Sequence, residues 1–245
     1  MTGTVTPEES DGSDKDDGFT GDTGPELPSS VLWDMDGTLV DTEPFWIAAE
    51  YELVERFGGT WTDADAHALV GNPLLVSAAY IRERGPVPMD DHAIVHELMS
   101  SVVEKVRVSP SWRPGARELL DALSAAGVPQ ALVTMSWGPL ADAVLAHLPP
   151  GTFGIVVTGD KVTHGKPHPE PYTTALDALA IHGAEAVTSV AIEDSPTGLA
   201  SAEAAGVRTL AVPHVVAVEP APGRFIIDSL EGLGPLDLLP AVSKP

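Results

Sequence analysis

Val31-Leu32-Trp33-Asp34-Met35-Asp36-Gly37-Thr38 is the stretch on which the fold turns. Its apolar run stops abruptly in acidic, glycine and hydroxyl residues, as a buried central strand does when it feeds a polar loop. Asp34 and Asp36 are two positions apart, so extended geometry would send both carboxylates to one side and Met35 to the other. Directly downstream, Thr42 and Pro44 open a helical pattern through Phe45, Trp46, Ala49, Leu53, Val54 and Phe57, which Gly58-Gly59 closes. Thr62 and Asp65 have the spacing of a capping box, and Asn72-Pro73 marks a further start. Ile94, Leu98, Met99, Val102 and Val106 then make a stripe of helical period. Residues 45–110 read as helices only.

Beyond Pro110 the pattern becomes repeated helix-then-strand units, with Gly127 and Gly206 each ending a helix ahead of a Val-containing segment. The expected strands are residues 130–134, 155–158, 187–192, 207–212 and 225–227. Such alternation implies an α/β fold with a doubly wound, Rossmann-like parallel sheet covered by helices on both faces. Residues 30–44 and 111–240 are expected to form this core and residues 45–110 a helical insert. Parallel sheets place ligands at the carboxyl ends of their strands. The polar residues found there are Asp34 and Asp36 after the first strand, Thr134 after the second and Glu193-Asp194 after the fourth, with Lys166 in the loop Gly165-Lys166-Pro167.

Asp34, Asp36 and Asp194 offer three hard oxygen donors, a set suited to a magnesium ion that keeps several waters and also binds substrate phosphate. The need for cations is sharpened by a formal net charge of -23. That charge disfavours nucleic acid and anionic lipid as partners, and a small phosphorylated metabolite must find positive charge close to its phosphoryl group. Lys166 stands out because Lys161 is its only companion between residues 106 and 243. With no cysteine in the chain, disulfides, thiolate zinc sites and cysteine nucleophiles are excluded. No apolar run approaches the ~18 residues needed to cross a bilayer, and the chain is expected to be soluble and cytoplasmic. Residues 1–29 carry Glu8, Glu9, Asp11, Asp14, Asp16, Asp17, Asp22 and Glu26 among Gly, Ser, Thr and Pro, the composition of a disordered acidic tail.

Asp34-Met35-Asp36-Gly37-Thr38-Leu39-Val40-Asp41 resembles the first signature of the haloacid dehalogenase-like superfamily. Thr134, Lys166 in Gly-Lys-Pro, and Glu193-Asp194-Ser195-Pro196-Thr197-Gly198 resemble the second, third and fourth signatures, in that order. The resemblance is to subfamily IA, which has a small helical cap, and to its branch of phosphatases and β-phosphoglucomutase-like enzymes. It implies a Mg²⁺-dependent phosphohydrolase with Asp34 as nucleophile and Asp36 as general acid, then base. Thr134 and Lys166 become phosphate ligands, Asp34, Asp36 and Asp194 metal ligands, and Glu193 a neighbour of the metal or a ligand to it. The insert of residues 45–110 is similar to the cap, whose specificity residues fall near Gly71-Asn72 and on the helix from Pro44, where Phe45 and Trp46 are equally suited to core packing.

The chemistry of these residue types agrees. A carboxylate attacking phosphorus replaces one difficult displacement by two easier ones through an aspartyl-phosphate. Positive charge and hydroxyl groups are needed around the equatorial oxygens of the loose transition state. Asp36 must start protonated, which neighbouring carboxylates favour. Asp36 itself separates the chain from the dehalogenating branch, which lacks that acid. Trp46 stands where the phosphomutase branch typically has a histidine, and the insert's one lysine, Lys105, gives little support to phosphonate cleavage through a Schiff base. A phosphomutase on the same scaffold and a non-catalytic binding protein using the acidic tail are the alternatives. His92 and His96 are four apart, but no further histidine or acidic pattern completes a zinc site. They, together with His67 and with His164 and His168 flanking Lys166, read as surface residues, as do Glu185 and Asp228.

Overall fold

The computed structural model describes residues 26–70 and 72–241, together with Met1. The acidic tail lies almost wholly outside the described residues, as does Gly71.

β1 (Val31–Trp33) is three large apolar residues, all fully buried, which suits a strand covered on both faces. It sits inside a sheet of order β3-β2-β1-β4-β5-β6 in which every neighbouring pair is parallel. The other strands are β2 (Gln130–Val133), β3 (Ile155–Val157), β4 (Val190–Glu193), β5 (Arg208–Ala211) and β6 (Arg224–Ile226). The chain winds outward in one direction from β1 through β2 to β3 and in the other from β4 to β6. The strand order therefore reverses at β1, and the crevice at such a point lies beyond the strands' carboxyl ends.

Alternate residues serve opposite faces. Leu32, Ala131, Val133 and Ala191 meet Tyr172, Ala175 and Leu176 of α7 (Glu170–Ala178) and Ala202 of α9 (Pro196–Ala204). Val31, Trp33, Leu132, Val190 and Ile192 belong to the larger cluster on the other face. That cluster includes Leu119 and Leu123 of α5 (Ala116–Ala125) and Leu140 and Val144 of α6 (Gly138–Leu145). Each such side chain is worth about 1.5–3 kcal/mol when fully buried. Trp33 satisfies its indole N–H inside this core by donating to Gln130 Oε1 at 2.9 Å. Two one-turn helices, α8 (Ala184–Val187) and α10 (Leu238–Ala241), complete the core.

Among the described residues the regular structure of the insert is helical: α1 (Glu43–Arg56), α2 (Asp63–His67), α3 (Leu74–Arg84) and α4 (Asp91–Val108). Thr62 and Asp65 form the expected reciprocal cap. All five residues of the stripe on α4 are buried, and α4 packs against α1, α3 and α6, joining the insert to the core.

The largest departure in boundaries is at β4, expected from residue 187. Residues 184–187 turn as α8, which leaves Val187 half-exposed, and the strand begins at Val190. At its other end β4 runs one residue further than expected, so that Glu193 is a strand residue with no solvent exposure.

Candidate active site

The carboxyl ends of β1, β2 and β4 and the Lys166 loop bring Asp34, Asp36, Thr134, Lys166, Glu193 and Asp194 together. Asp34 follows β1 directly and is buried, its backbone N–H donating to Ile192 of β4. Lys166 reaches it from the loop between β3 and α7, after which the Lys166–Pro167 peptide bond is cis. The ammonium donates to Asp34 Oδ1 at 2.7 Å, Glu193 Oε1 at 2.6 Å and the Val133 carbonyl at 2.8 Å, using all three of its protons. Burial alone would lower its pKa; the carboxylates of Asp34 and Glu193 outweigh that and hold it above its ordinary value.

Glu193 is held from several sides. Its Oε1 also accepts from the buried Tyr172 hydroxyl at 2.7 Å and its Oε2 from Ser195 at 3.3 Å. Gly198, in the first turn of α9, lies so close that a Cβ there would overlap the Glu193 carboxyl group. Gly37 has the same relation to Asp194, and its φ of +90° is a second reason for glycine.

Asp34, Glu193 and Asp194 each have an oxygen within 4.8 Å of the others. Burial, Asp34 and Glu193 push the Asp194 pKa up to about 9, and burial together with Asp34 raises that of Glu193. Asp34 Oδ2 is buried and has no hydrogen-bond partner among the described residues. A crowd of hard oxygen donors in need of positive charge, one of them buried and unpartnered, fits a divalent ion such as Mg²⁺.

Asp36, expected among the donors, is not in the group whose oxygens all lie within 4.8 Å of one another, and its carboxylate has hydroxyl partners. Thr42 donates to its Oδ1 at 2.6 Å, while Ser136 and Thr134 donate to its Oδ2 at 2.8 and 3.1 Å. Residues 36–40 form a tight turn through Gly37, closed by the Gly37 N–H donating to the Val40 carbonyl at 2.8 Å. Burial and Asp34 raise the Asp36 pKa, against three hydroxyl hydrogen bonds that lower it. Ser136 and Tyr172 were not legible as site residues. Ser136 lies two positions past Thr134, to whose hydroxyl its N–H donates at 3.0 Å, a relation that a strand ending at Thr134 could have suggested.

A cavity of about 480 Å³ opens beside the Asp36 turn, lined by Asp41, Glu43, Ile47, His67 and His214 among others. Burial, Asp36 and Asp41 push the Glu43 pKa up to about 7. His214, in the segment after β5, is 3.0 Å from Asp41 through its Nε2. Asn72 is exposed and donates to the Ala68 carbonyl, whereas Phe45 and Trp46 are partly buried against the main core.

The sequence matches the haloacid dehalogenase-like hydrolase family over residues 31–212. The chain belongs to that family. Among its relatives, a phosphorylated carbohydrates phosphatase of Thermotoga maritima is 30% identical over 191 residues, covering 74% of this chain and 83% of the relative. Hexitol phosphatase B of Escherichia coli is 28% identical over 193 residues, covering 75% and 83%. The crystal structure of CbbY from Rhodobacter sphaeroides in complex with phosphate superposes with a TM-score of 0.76 at 28% identity, covering 86% of this chain and all of that one. This haloacid dehalogenase-like chain is a phosphohydrolase with the subfamily IA architecture. No helix among the described residues is long and apolar enough to cross a membrane.

Proposed function

We propose that the protein hydrolyses a small phosphorylated sugar or polyol with Mg²⁺, through an aspartyl-phosphate on Asp34. The observation that carries this reading is the state of Asp34: one carboxylate oxygen is fixed by Lys166 and the other is buried without a hydrogen-bond partner among the described residues. A carboxylate held in that way is oriented, desolvated and free at one oxygen, the condition for attack on phosphorus. Asp34, Asp194 and, through whichever oxygen it releases, Glu193 would hold the ion. When bound, Mg²⁺ supplies the positive charge that offsets these carboxylates and the incoming phosphate dianion.

Asp36, whose pKa burial and Asp34 raise, is the group to give a proton to the leaving oxygen and then take one from the water that cleaves the acyl phosphate. Thr42 and Ser136 hold it in place, and the Thr134 hydroxyl and Lys166 ammonium turn towards the phosphoryl oxygens when substrate enters. The helices α1 to α4 act as the cap, and the cavity beside Glu43 receives the leaving group. Its carboxyl and imidazole groups suit a hydroxyl-rich molecule, in keeping with the carbohydrate and hexitol phosphates named for the two relatives. Hydrolysis is preferred to phosphomutase action because Trp46, partly buried against the core, offers no titratable group where the mutase branch has its histidine.

A panel of hexose, pentose and polyol phosphates assayed with Mg²⁺ and with chelator tests the reading. Phosphate release from at least one, dependent on Mg²⁺ and abolished in Asp34→Asn, is expected. Release that survives in Asp34→Asn would contradict it, and transfer primed by a sugar bisphosphate in place of release would favour the mutase.

A further inference from the structure

The two histidines flanking Lys166 converge on a third group that sequence spacing does not reveal as their partner. His164 Nδ1 is 2.8 Å from Glu170 Oε2, and the His164 and His168 rings lie 4.6 Å apart between centroids, inclined at 32°. Each of His164, His168 and Glu170 offers a donor atom within 4.8 Å of the other two. Both histidines are exposed, so an ion has access. The Glu170 carboxylate is fixed by the backbone N–H groups of Thr163 and His164, at 2.6 and 2.9 Å, and these with the His164 ring keep it ionised by lowering its pKa.

We propose that His164, His168 and Glu170 form a second cation site, for an imidazole-binding divalent transition ion such as Zn²⁺, on the solvent side of the loop that delivers Lys166. Two imidazoles and one carboxylate are a donor set of the zinc type with one coordination position left open. It differs from the all-oxygen set at Asp34, which suits Mg²⁺. Tetrahedral donors about a zinc ion lie about 3.3 Å apart, so closing the site requires side-chain rotations and no change of fold. Ligation through His164 Nδ1 leaves the neutral ring's one proton on Nε2, and the ion takes the place of the hydrogen between Nδ1 and Glu170. The protein's strongly negative charge raises the local concentration of any cation.

The placement gives the site a consequence. Gly165, Lys166 and Pro167 lie between the two histidine ligands, and the Ser201 hydroxyl already ties the His168 carbonyl to α9 at 2.6 Å. An ion held by His164, His168 and Glu170 clips both ends of this short segment and, by binding only the folded chain, stabilises it.

The test uses the full chain freed of metal and then saturated with Mg²⁺, so that the carboxylate site is occupied. Zn²⁺ binding is followed by calorimetry and thermal unfolding, with His164→Ala, His168→Ala and a His92→Ala/His96→Ala control. The expected result is an equivalent of zinc, and its rise in melting temperature, weakened at least tenfold in either of the first two variants and retained in the control. Unchanged zinc binding in both single variants, or no zinc uptake by the Mg²⁺-saturated wild type, overturns the proposal. Should a variant fold poorly, substoichiometric Co²⁺ added to the wild type decides. Preferential broadening of the His164 and His168 ring resonances supports the site, and broadening confined to other histidines refutes it.

Discussion

Replacing Lys166 by Met keeps most of the side chain's volume and removes only the ammonium. At an effective dielectric constant of ~20, two contacts near 2.7 Å represent roughly 6 kcal/mol of attraction each, set against a desolvation cost of several kcal/mol per buried ion. The variant leaves Asp34 and Glu193 buried with no cation between them. Breaking a pair in this way costs about 3–5 kcal/mol. For a urea dependence of about 2–3 kcal/mol per molar, the unfolding midpoint in chelator should fall by about 1–2.5 M. Adding Glu193→Gln should recover part of the loss, because it removes one stranded carboxylate. Saturating Mg²⁺ should narrow the gap between wild type and variant by supplying the missing charge. A midpoint shift below about 0.3 M in chelator would mean that the ammonium is not desolvated between these groups, and the electrostatic account of the site would fail.

Glu50 is buried with a pKa pushed up to about 8 by burial and, less strongly, by Glu43, against the Trp61 N–H, which lowers it. A raised acid stabilises the fold fully below its unfolded pKa near 4.5 and loses that contribution as pH climbs towards 8. Glu50→Gln should therefore gain stability at pH 8 relative to wild type, on the order of a few kcal/mol, with no gain at pH 4 in urea titrations; an equal change at both pH values would contradict this. Gly198→Ala should displace the Glu193 carboxyl group, lowering the melting temperature and kcat together; a fully active variant of unchanged stability would show that the close approach is not required. Asp36→Asn should lower kcat by about 10²–10⁴-fold while Mg²⁺ affinity, measured by calorimetry, stays close to that of wild type, because both Asp36 carboxylate oxygens are already engaged by Thr42, Thr134 and Ser136. A large loss of Mg²⁺ affinity would return Asp36 to the metal ligands.

The fold was legible because its signals are local: Val31-Leu32-Trp33 running into acid, glycines ending helices before apolar segments, and the stripe on α4. The site was legible where a residue type and its position at a strand end coincide, as for Asp34, Lys166 and Asp194. What escaped depends on the path of the backbone between such points. The Asp36 carboxylate is taken up by Thr42, Thr134 and Ser136, hydroxyl partners that the spacing of the two aspartates does not announce. Tyr172 reaches Glu193 across 21 positions of sequence and in isolation reads as an apolar residue of a helix. The His164 and Glu170 contact closes over six positions of irregular loop, where no periodicity brings side chains into register.

The central claim is that Asp34 itself carries the phosphoryl group. Mixing enzyme with a substrate identified from the panel, quenching in acid within the first turnover and mapping the peptides measures this most directly. A phosphoryl group on the peptide containing Asp34, forming no slower than product appears and absent from Asp34→Asn, is the predicted result. Product released over the same interval with no phosphoryl group on the chain, or with the label on another residue, would contradict it.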